Sequence, residues 1–289
     1  MKLLQFILRA DADRHLKVGI LEDEAHVRVL RAEGTARKLI EAAAESANAI
    51  EELKQLAEGG ELIPLHEVKL LSPLTDPEKI ICIGLNYFDH VMESGMQVPQ
   101  KPVLFPKFNN CLVGHEDEVV IPREVTQCDY EVELAVVIGR RASKVSRESA
   151  MDYVFGYTIL NDVSARDIQL NEPQWTRGKA VDGFAPTGPW IVTADEIADP
   201  GRLDISLRLN GEMMQNSNTK ELIFDIAYLI SFLSNTITLQ PGDIISTGTP
   251  PGVGMGRTPQ IWLKPGDIVE VAVEGIGTLR SIFAAESTR

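Results

Sequence analysis

The order of apolar and polar residues divides the chain into two parts. Within residues 35–57, apolar side chains recur every three or four positions, which is typical of an amphipathic helix with an acidic, solvated face. Two short strand-like segments, 3–8 and 18–21, precede this helix, and a pair of glycines followed by several prolines ends it. These features predict a small N-terminal α/β domain over residues 1–75, without catalytic groups.

Strand patterns dominate from residue 76 onward. Residues 203–209 alternate with a period of two and run into Asn210-Gly211, which is typical of a tight hairpin. Two Pro-Gly-Asp turns each precede a β-branched segment. One further amphipathic helix is predicted over residues 221–234. Because strands and helices do not alternate regularly, we expect an α+β, β-rich fold, a mixed β-sandwich or roll, over residues 76–289.

Composition and charge restrict the functional class. The 289 residues carry a formal net charge of −14, which disfavours nucleic acid and anionic lipid as partners. No apolar run is long enough to span a membrane, and the N-terminal apolar run is short enough to be a first strand. Three cysteines without metal-ligand spacing predict reduced thiols and a cytoplasmic protein.

Three carboxylates form the first candidate site. Glu131 and Glu133 are two apart in a strand-like segment, so their side chains share a face, where like charges repel unless a cation or a proton lies between them. Asp162 ends another apolar segment and offers a third oxygen ligand. Three carboxylates suit Mg²⁺ or Mn²⁺. Alternatively, the two glutamates form the solvent-facing side of an amphipathic strand.

A second set of polar residues has the character of a catalytic group. His90 and Glu93 are three apart on a predicted helical turn, where the carboxylate would raise the basicity of the imidazole, although a surface ion pair has the same spacing. Lys179 lies among turn residues and either reaches a substrate oxyanion or is solvated. The glycine-rich loop 247–257 lacks the signature of a phosphate-binding loop and instead offers Thr249 to a ligand.

Five segments, in the order in which they occur along the chain, resemble the fumarylacetoacetate hydrolase superfamily. The resemblance is closest to a group of small members, the fumarylacetoacetate hydrolase domain-containing proteins. They cover most of the chain from residue 76. The matching segments are Gly-x-Asn-Tyr-x-x-His-x-x-Glu at 84–93, Asp-Tyr-Glu-x-Glu-Leu at 129–134, Asp-Val-Ser-Ala-Arg-Asp at 162–167, Gly-Lys at 178–179, and Thr-Gly-Thr-Pro-x-Gly-Val-Gly at 247–254.

This resemblance implies a role for each matching residue. It implies a β-rich roll, a homodimer, and a bound Mg²⁺ or Mn²⁺. The implied site consists of metal ligands Glu131, Glu133 and Asp162; catalytic residues His90, Glu93 and Lys179; and substrate-binding residues Arg166, Gln169, Gly248 and Thr249.

The resemblance also implies a small 2-oxo acid as substrate. The first hypothesis is hydrolysis of a C–C bond in an acylpyruvate through an enolate, with water activated by the His90–Glu93 pair. The second is decarboxylation or enol–keto tautomerisation of oxaloacetate, which needs no attack by water. A third is a non-catalytic protein that binds a metal ion and a dicarboxylate; the presence of both His90 and Glu93 argues against it.

Overall fold

The computed structural model describes residues 1–46, 48–94 and 97–287, with only the backbone of Ser94. The strands are β1 (Lys2–Leu8), β2 (Lys17–Leu21), β3 (His26–Val29), β4 (Leu62–Pro64), β5 (Val68–Leu70), β6 (Ile80–Gly84), β7 (Val103–Lys107), β8 (Leu112–Val113), β9 (Glu118–Ile121), β10 (Cys128–Asp129), β11 (Val132–Ile138), β12 (Val154–Asn161), β13 (Ser164–Ala165), β14 (Ala185–Thr193), β15 (Asp204–Leu209), β16 (Glu212–Asn218), β17 (Ile244–Ser246), β18 (Ile268–Val273) and β19 (Gly277–Ala285). The helices are α1 (Ala36–Ala43), α2 (Ala49–Ala57), α3 (Phe88–Ser94), α4 (Arg166–Gln169), α5 (Thr176–Lys179) and α6 (Ile226–Ser234).

Two large sheets form the body of the protein, which confirms the predicted β-rich α+β class. The larger sheet has the order β4-β3-β2-β1-β14-β12-β11-β17-β6-β7, with β5 beside β1 and β8 beside β14. The smaller has the order β16-β15-β18-β19-β9, and β10 and β13 form a separate pair. None of the helices in the described residues has the length and apolar character needed to cross a membrane.

Strand β11 lies in the middle of the larger sheet and is buried on both faces, as expected for a continuous apolar run. Alternate side chains, such as Leu134 and Val136, belong to the core shared with the smaller sheet. The intervening Ala135 and Val137 belong to a second core on the opposite face. Glu133 lies on this second face, since side chains two apart on a strand point the same way.

The N-terminal strands extend the larger sheet. Leu3 of β1 pairs with Ile191 of β14, and β1 continues into β2, β3 and β4. The predicted strands 3–8 and 18–21 are present as β1 and β2, whereas β3 was not predicted. The proposed division into residues 1–75 and 76–289 stays a prediction.

The prediction of one continuous helix over residues 35–57 is wrong, because the structure has two helices there, α1 and α2. The Ser46 hydroxyl accepts the Asn48 N–H at 3.0 Å and donates to Glu52 at 2.7 Å, so these polar groups end α1 and begin α2. Ala47 lies outside the described residues. The helix predicted over 221–234 begins only at Ile226, because Asp225 caps it by accepting the Tyr228 N–H at 2.8 Å.

The predicted hairpin after residue 209 is present. Asn210 and Gly211 both adopt positive φ angles, +52° and +85°, as a two-residue turn between β15 and β16 requires.

Candidate metal and substrate site

The fold brings Glu131, Glu133 and Asp162 together. Antiparallel pairing of β11 and β12 sets the start of one strand beside the end of the other, and the Asp162 N–H donates to the Glu131 carbonyl at 2.9 Å. One carboxylate oxygen from each residue lies within 4.8 Å of the others. Their exposed fractions are 5%, 1% and 0%, so the solvent-facing alternative for the two glutamates is wrong.

Buried cations surround these carboxylates. Lys179 Nζ lies 2.6 Å from Glu131 Oε2 and 2.8 Å from Asp162 Oδ2. Arg166 Nη2 lies 2.5 Å from the other oxygen of Glu131. Burial opposes the charged form of Glu131, but Arg166 and Lys179 outweigh it and hold the Glu131 pKa well below its usual range. Lys179 is therefore not a solvated lysine but part of the buried charge cluster.

A close approach of two short helices positions Lys179. Gly178 of α5 lies against α4, where an added Cβ atom would come within 2.6 Å of the Gln169 nitrogen. The glycine therefore allows α5 to pack on α4 with Lys179 directed at the carboxylates. Its ammonium is favoured despite burial, because Asp162 and Glu131 raise the pKa of Lys179.

Glu133 has no cationic partner within hydrogen-bonding distance among the described residues. Its Oε2 accepts the Ser246 hydroxyl at 2.5 Å and the Gly248 N–H at 2.9 Å. Burial, reinforced by the charges of Asp162 and Glu131, raises the pKa of Glu133 well above its usual range. The carboxylate must hold a proton or be balanced by a further cation.

The donor set fits a hard dication. The cluster comprises four buried carboxylates, those of Asp129, Glu131, Glu133 and Asp162, and three buried cations, Lys107, Arg166 and Lys179, which leaves one net negative charge when all are ionised. Asp162 Oδ1 lies 2.8 Å from the Lys107 ammonium as an ion pair, but outside hydrogen-bonding geometry. An all-oxygen set of Glu131, Glu133 and Asp162 suits Mg²⁺ or Mn²⁺. Which ion, if either, binds here stays a prediction.

His90 and Glu93 are in contact on α3, as their spacing predicts. His90 Nδ1 faces Glu93 Oε2 at 3.5 Å, and the imidazole is only 6% exposed, so this is not a surface ion pair. Both oxygens of Glu93 lie 3.1 Å from the Gly252 nitrogen. Partial burial raises the Glu93 pKa, but His90 and the Gly252 N–H outweigh it and lower the pKa overall. The catalytic role of the pair stays a prediction.

The predicted substrate-binding residues do not all face the same space. Arg166 Nη1 donates to Gln169 Oε1 at 3.0 Å, and both residues line a cavity of about 50 Å³ beside the carboxylates. Thr249 also lines it and accepts a hydrogen bond from Gln215 at 2.9 Å. Gly248 lies behind the wall, because its N–H is engaged with Glu133.

Most of the ten predicted site residues border this cavity. His90, Glu131, Glu133 and Lys179 line it together with Arg166, Gln169 and Thr249. The other three residues do not line the cavity but contact residues that do: Glu93 contacts His90, Asp162 contacts Lys179, and Gly248 contacts Glu133.

Lys107 is a site residue that the sequence analysis missed. Its ammonium lies 2.8 Å from Asp162 Oδ1 and contacts the backbone carbonyls of Val163, Lys179 and Phe184. The available signal was the alternation along β7, since Phe105 and Lys107 face the core whereas Leu104 and Pro106 are exposed.

Asp129 has a further supporting role. It accepts the N–H groups of Gly254 and Met255, at 2.7 and 3.1 Å, and the Nε–H of Arg166 at 3.0 Å. This carboxylate therefore ties the loop after β17 to the arginine in the cavity wall.

The arrangement defines a class: a β-rich fold with a buried acidic site beside a histidine–glutamate pair. Residues 79–284 match the family described as Fumarylacetoacetate (FAA) hydrolase C-terminal. The chain belongs to this family and is an enzyme of it.

Relatives and solved structures support this assignment. The mitochondrial oxaloacetate tautomerase Fahd2a of Rattus norvegicus is 48% identical over 219 residues, covering 75% of this chain and 70% of the relative. The fumarylacetoacetate hydrolase of psychrophilic Exiguobacterium antarcticum is 36% identical, with a TM-score of 0.85 over 99% of this chain and 100% of that one. The 2-hydroxyhepta-2,4-diene-1,7-dioate isomerase of Mycobacterium marinum is 34% identical, with a TM-score of 0.79 over the whole of both chains.

Proposed function

We propose that this protein is a Mg²⁺- or Mn²⁺-dependent tautomerase that interconverts the enol and keto forms of oxaloacetate. The observation that carries the proposal is the buried cluster of Glu131, Glu133 and Asp162, because its two glutamates line the same cavity as His90 of the His90–Glu93 pair. The 48% identity to an oxaloacetate tautomerase supports the choice of reaction.

The carboxylates Glu131, Glu133 and Asp162 would hold the ion. A bound dication supplies positive charge beside the oxygens of a 2-oxo acid, which favours its enolate. Lys179 adds a fixed positive charge at the same place, since its ammonium contacts both Glu131 and Asp162. Arg166, Gln169 and Thr249 border the space where the remaining oxygens of the acid would be oriented.

His90 is positioned to move the proton. Because Nδ1 faces Glu93, Nε2 is the ring nitrogen available to substrate. In the direction from keto to enol, the imidazole takes a proton from C3 of oxaloacetate, so the C3–H bond breaks and its electron pair forms the C2–C3 double bond. The same proton is then delivered to the C2 oxygen. Glu93 fixes the ring and stabilises the imidazolium between these steps.

The proposal is tested by following the enol absorbance of oxaloacetate with product analysis. We expect a faster loss of the enol form with Mg²⁺ than with chelator, with no change in composition. Glu131→Ala and Asp162→Ala should each abolish the Mg²⁺-dependent rate, because each removes one of three oxygen ligands. Lys69→Ala is a control, because it breaks only a half-exposed surface pair with Asp117. Full activity of either site variant in chelator would overturn the proposed metal site.

A second candidate is hydrolysis of an acylpyruvate. The 36% identity to a fumarylacetoacetate hydrolase favours it, as does a histidine–carboxylate pair suited to activating water. The product distinguishes the reactions: hydrolysis yields pyruvate and a second acid, decarboxylation of oxaloacetate yields CO₂, and tautomerisation leaves the composition unchanged.

We also propose a cytoplasmic location and a homodimeric assembly. The three cysteines are free and buried, which agrees with a reducing compartment such as the cytoplasm. We propose a small 2-oxo acid as the ligand and a second copy of this chain as the partner, with no nucleic acid or membrane involved.

A further inference from the structure

A second, open depression borders the catalytic cavity. Leu170 and Met255 line both spaces, so these two side chains form the boundary between them. The inner cavity has a volume of about 50 Å³ and the outer depression about 660 Å³. The inner space accommodates only the head of an organic acid, and a longer substrate must extend into the depression.

Arg257 is the cationic residue in the lining of the depression, and Glu93 is the acidic one. The carboxylate of Glu93 is already engaged with His90 and the Gly252 N–H. The guanidinium of Arg257 is anchored by two backbone carbonyls, Nε to Gly252 at 3.3 Å and Nη2 to Met214 at 2.6 Å. These bonds fix the orientation of the guanidinium but do not neutralise its charge.

Arg257 differs from the other cations of the site because no carboxylate forms an ion pair with it. Lys107, Lys179 and Arg166 each lie within 3.0 Å of a buried carboxylate. Arg257 forms no ion pair within 4 Å of any carboxylate that the structure describes, although its guanidinium also contacts the Tyr130 hydroxyl and its charge helps to lower the pKa of Glu93. Because the chain carries a net charge of −14, an anionic group at the mouth needs a local cation to hold it.

We propose that Arg257 binds the terminal carboxylate of a 2-oxo dicarboxylic acid whose 2-oxo acid end lies in the inner cavity. A guanidinium anchored on one side and open on the other matches a carboxylate in geometry and charge. Arg257 thereby selects dicarboxylates over monocarboxylates of equal length. The inference rests on the proposed function, in that the inner cavity must accept a 2-oxo acid.

Calorimetric titration in Mg²⁺ with matched ligands tests this role. Each pair differs only in a terminal carboxylate: 2-oxobutanoate and fresh oxaloacetate, 2-oxopentanoate and 2-oxoglutarate, 2-oxohexanoate and 2-oxoadipate. In at least one of the three pairs, the wild type should bind the dicarboxylate about tenfold more tightly than the monocarboxylate of the same length. Arg257→Gln should remove this preference and leave the Kd of the monocarboxylate unchanged. Arg257→Lys, which retains the charge, should retain part of the preference.

Arg177→Gln is the matched control. It removes the same charge from α5 next to the site, but Arg177 is paired with Glu172 and does not line either cavity. The preference should survive in this variant, which excludes a general effect of net charge. Equal binding of both members of every pair by the wild type, or a preference retained in Arg257→Gln, would overturn the inference and leave the proposed function intact. Failure of every 2-oxo acid to bind would overturn both.

Discussion

The side chain of Lys107 is fully buried and carries a charge in the core, where an uncompensated ion costs several kcal/mol. Asp162 and three carbonyl oxygens provide the compensation. Lys107 is therefore a positioning residue for Asp162 and for the segment that carries Lys179.

Lys107→Met tests this role. The substitution preserves volume but leaves Asp162 without one of its two cations, so we expect a loss of about 3–5 kcal/mol in the free energy of unfolding. Chemical denaturation measures it. Lys69→Met, which breaks a half-exposed pair with Asp117, should cost less than about 1 kcal/mol. Equal effects of the two substitutions would contradict a special role for Lys107.

His90 allows the catalytic role to be separated from metal binding. We expect His90→Asn to reduce kcat by roughly 10²–10⁴-fold, because the general base is lost, while the Mg²⁺ affinity measured by calorimetry stays the same. Glu93→Gln should show a smaller reduction, since it keeps the contact geometry but not the charge. An unchanged kcat in His90→Asn would remove this residue from the mechanism.

His115 gives the stability a pH dependence that is independent of the site. Burial lowers its pKa below the usual 6.5; Glu116 opposes this effect and Arg280 adds to it. The unfolded chain therefore binds the proton more readily, so the contribution of His115 to stability is present above about pH 6.5 and is lost as the pH falls through the folded pKa.

We expect His115→Asn to flatten the fall in thermal stability between about pH 7 and pH 5, because asparagine does not titrate in this range. Its amide oxygen can still accept the backbone N–H of Arg280, which His115 Nδ1 accepts at 3.1 Å. Exposed His66 provides the control, and His66→Asn should leave the profile unchanged. Parallel profiles for wild type and His115→Asn would contradict this explanation.

At the scale of elements, the loop after β17 owes its course to Gly248. This residue has φ +104°, and a Cβ atom there would lie 2.8 Å from Asn86 Cβ. Asn86 is fully buried and holds the same loop by donating to the Thr247 carbonyl at 2.7 Å. The glycine thus lets the loop approach closely enough for its N–H to reach Glu133.

Gly248→Ala should therefore lower the free energy of unfolding and weaken Mg²⁺ binding. Gly211→Ala is the control, because Gly211 lies at a hairpin turn with open space around it. It should lower the free energy of unfolding by only about 1 kcal/mol and leave Mg²⁺ binding intact. Denaturation and calorimetry on the two variants measure the difference. Normal Mg²⁺ affinity in Gly248→Ala would show that the loop tolerates the displacement.

The elements show how far the sequence determines a prediction. Short strand-like segments identified β1 and β2, a period-two alternation identified β15, and Asn210-Gly211 identified a turn, because these signals are local. The break between α1 and α2 depends on side-chain hydrogen bonds of Ser46 that compete with the helix, and apolar periodicity does not register them.

In the site, too, local sequence signals were predicted and contacts between distant residues were not. Motif order was sufficient to select the carboxylates and the His90–Glu93 pair. Lys107 and Arg257 were missed because their importance depends on which residues lie opposite them: Asp162 in one case and backbone carbonyls in the other. Such pairings are fixed only when β7, β12 and the loop after β17 come together.

At the scale of the whole molecule, we expect a homodimer, because the resemblance to the fumarylacetoacetate hydrolase superfamily implies one. Symmetric dimers are also the commonest soluble oligomers. Sedimentation equilibrium at micromolar concentration should give a mass of about twice 31.8 kDa. A single species at the monomer mass throughout would contradict this expectation. Repeating the run with Mg²⁺ and with chelator separates assembly from metal binding.

The pairing of β1 with β14 limits how this chain can be shortened or fused. Strand β12, which leads to Asp162, pairs with the other side of β14. A fragment that began at residue 76 would leave part of β14 with unpaired N–H and C=O groups, and such an edge is a template on which other chains add as strands. Engineers who want a minimal enzyme should keep β1 or cap the exposed edge, because aggregation, rather than lost chemistry, would otherwise be the first failure.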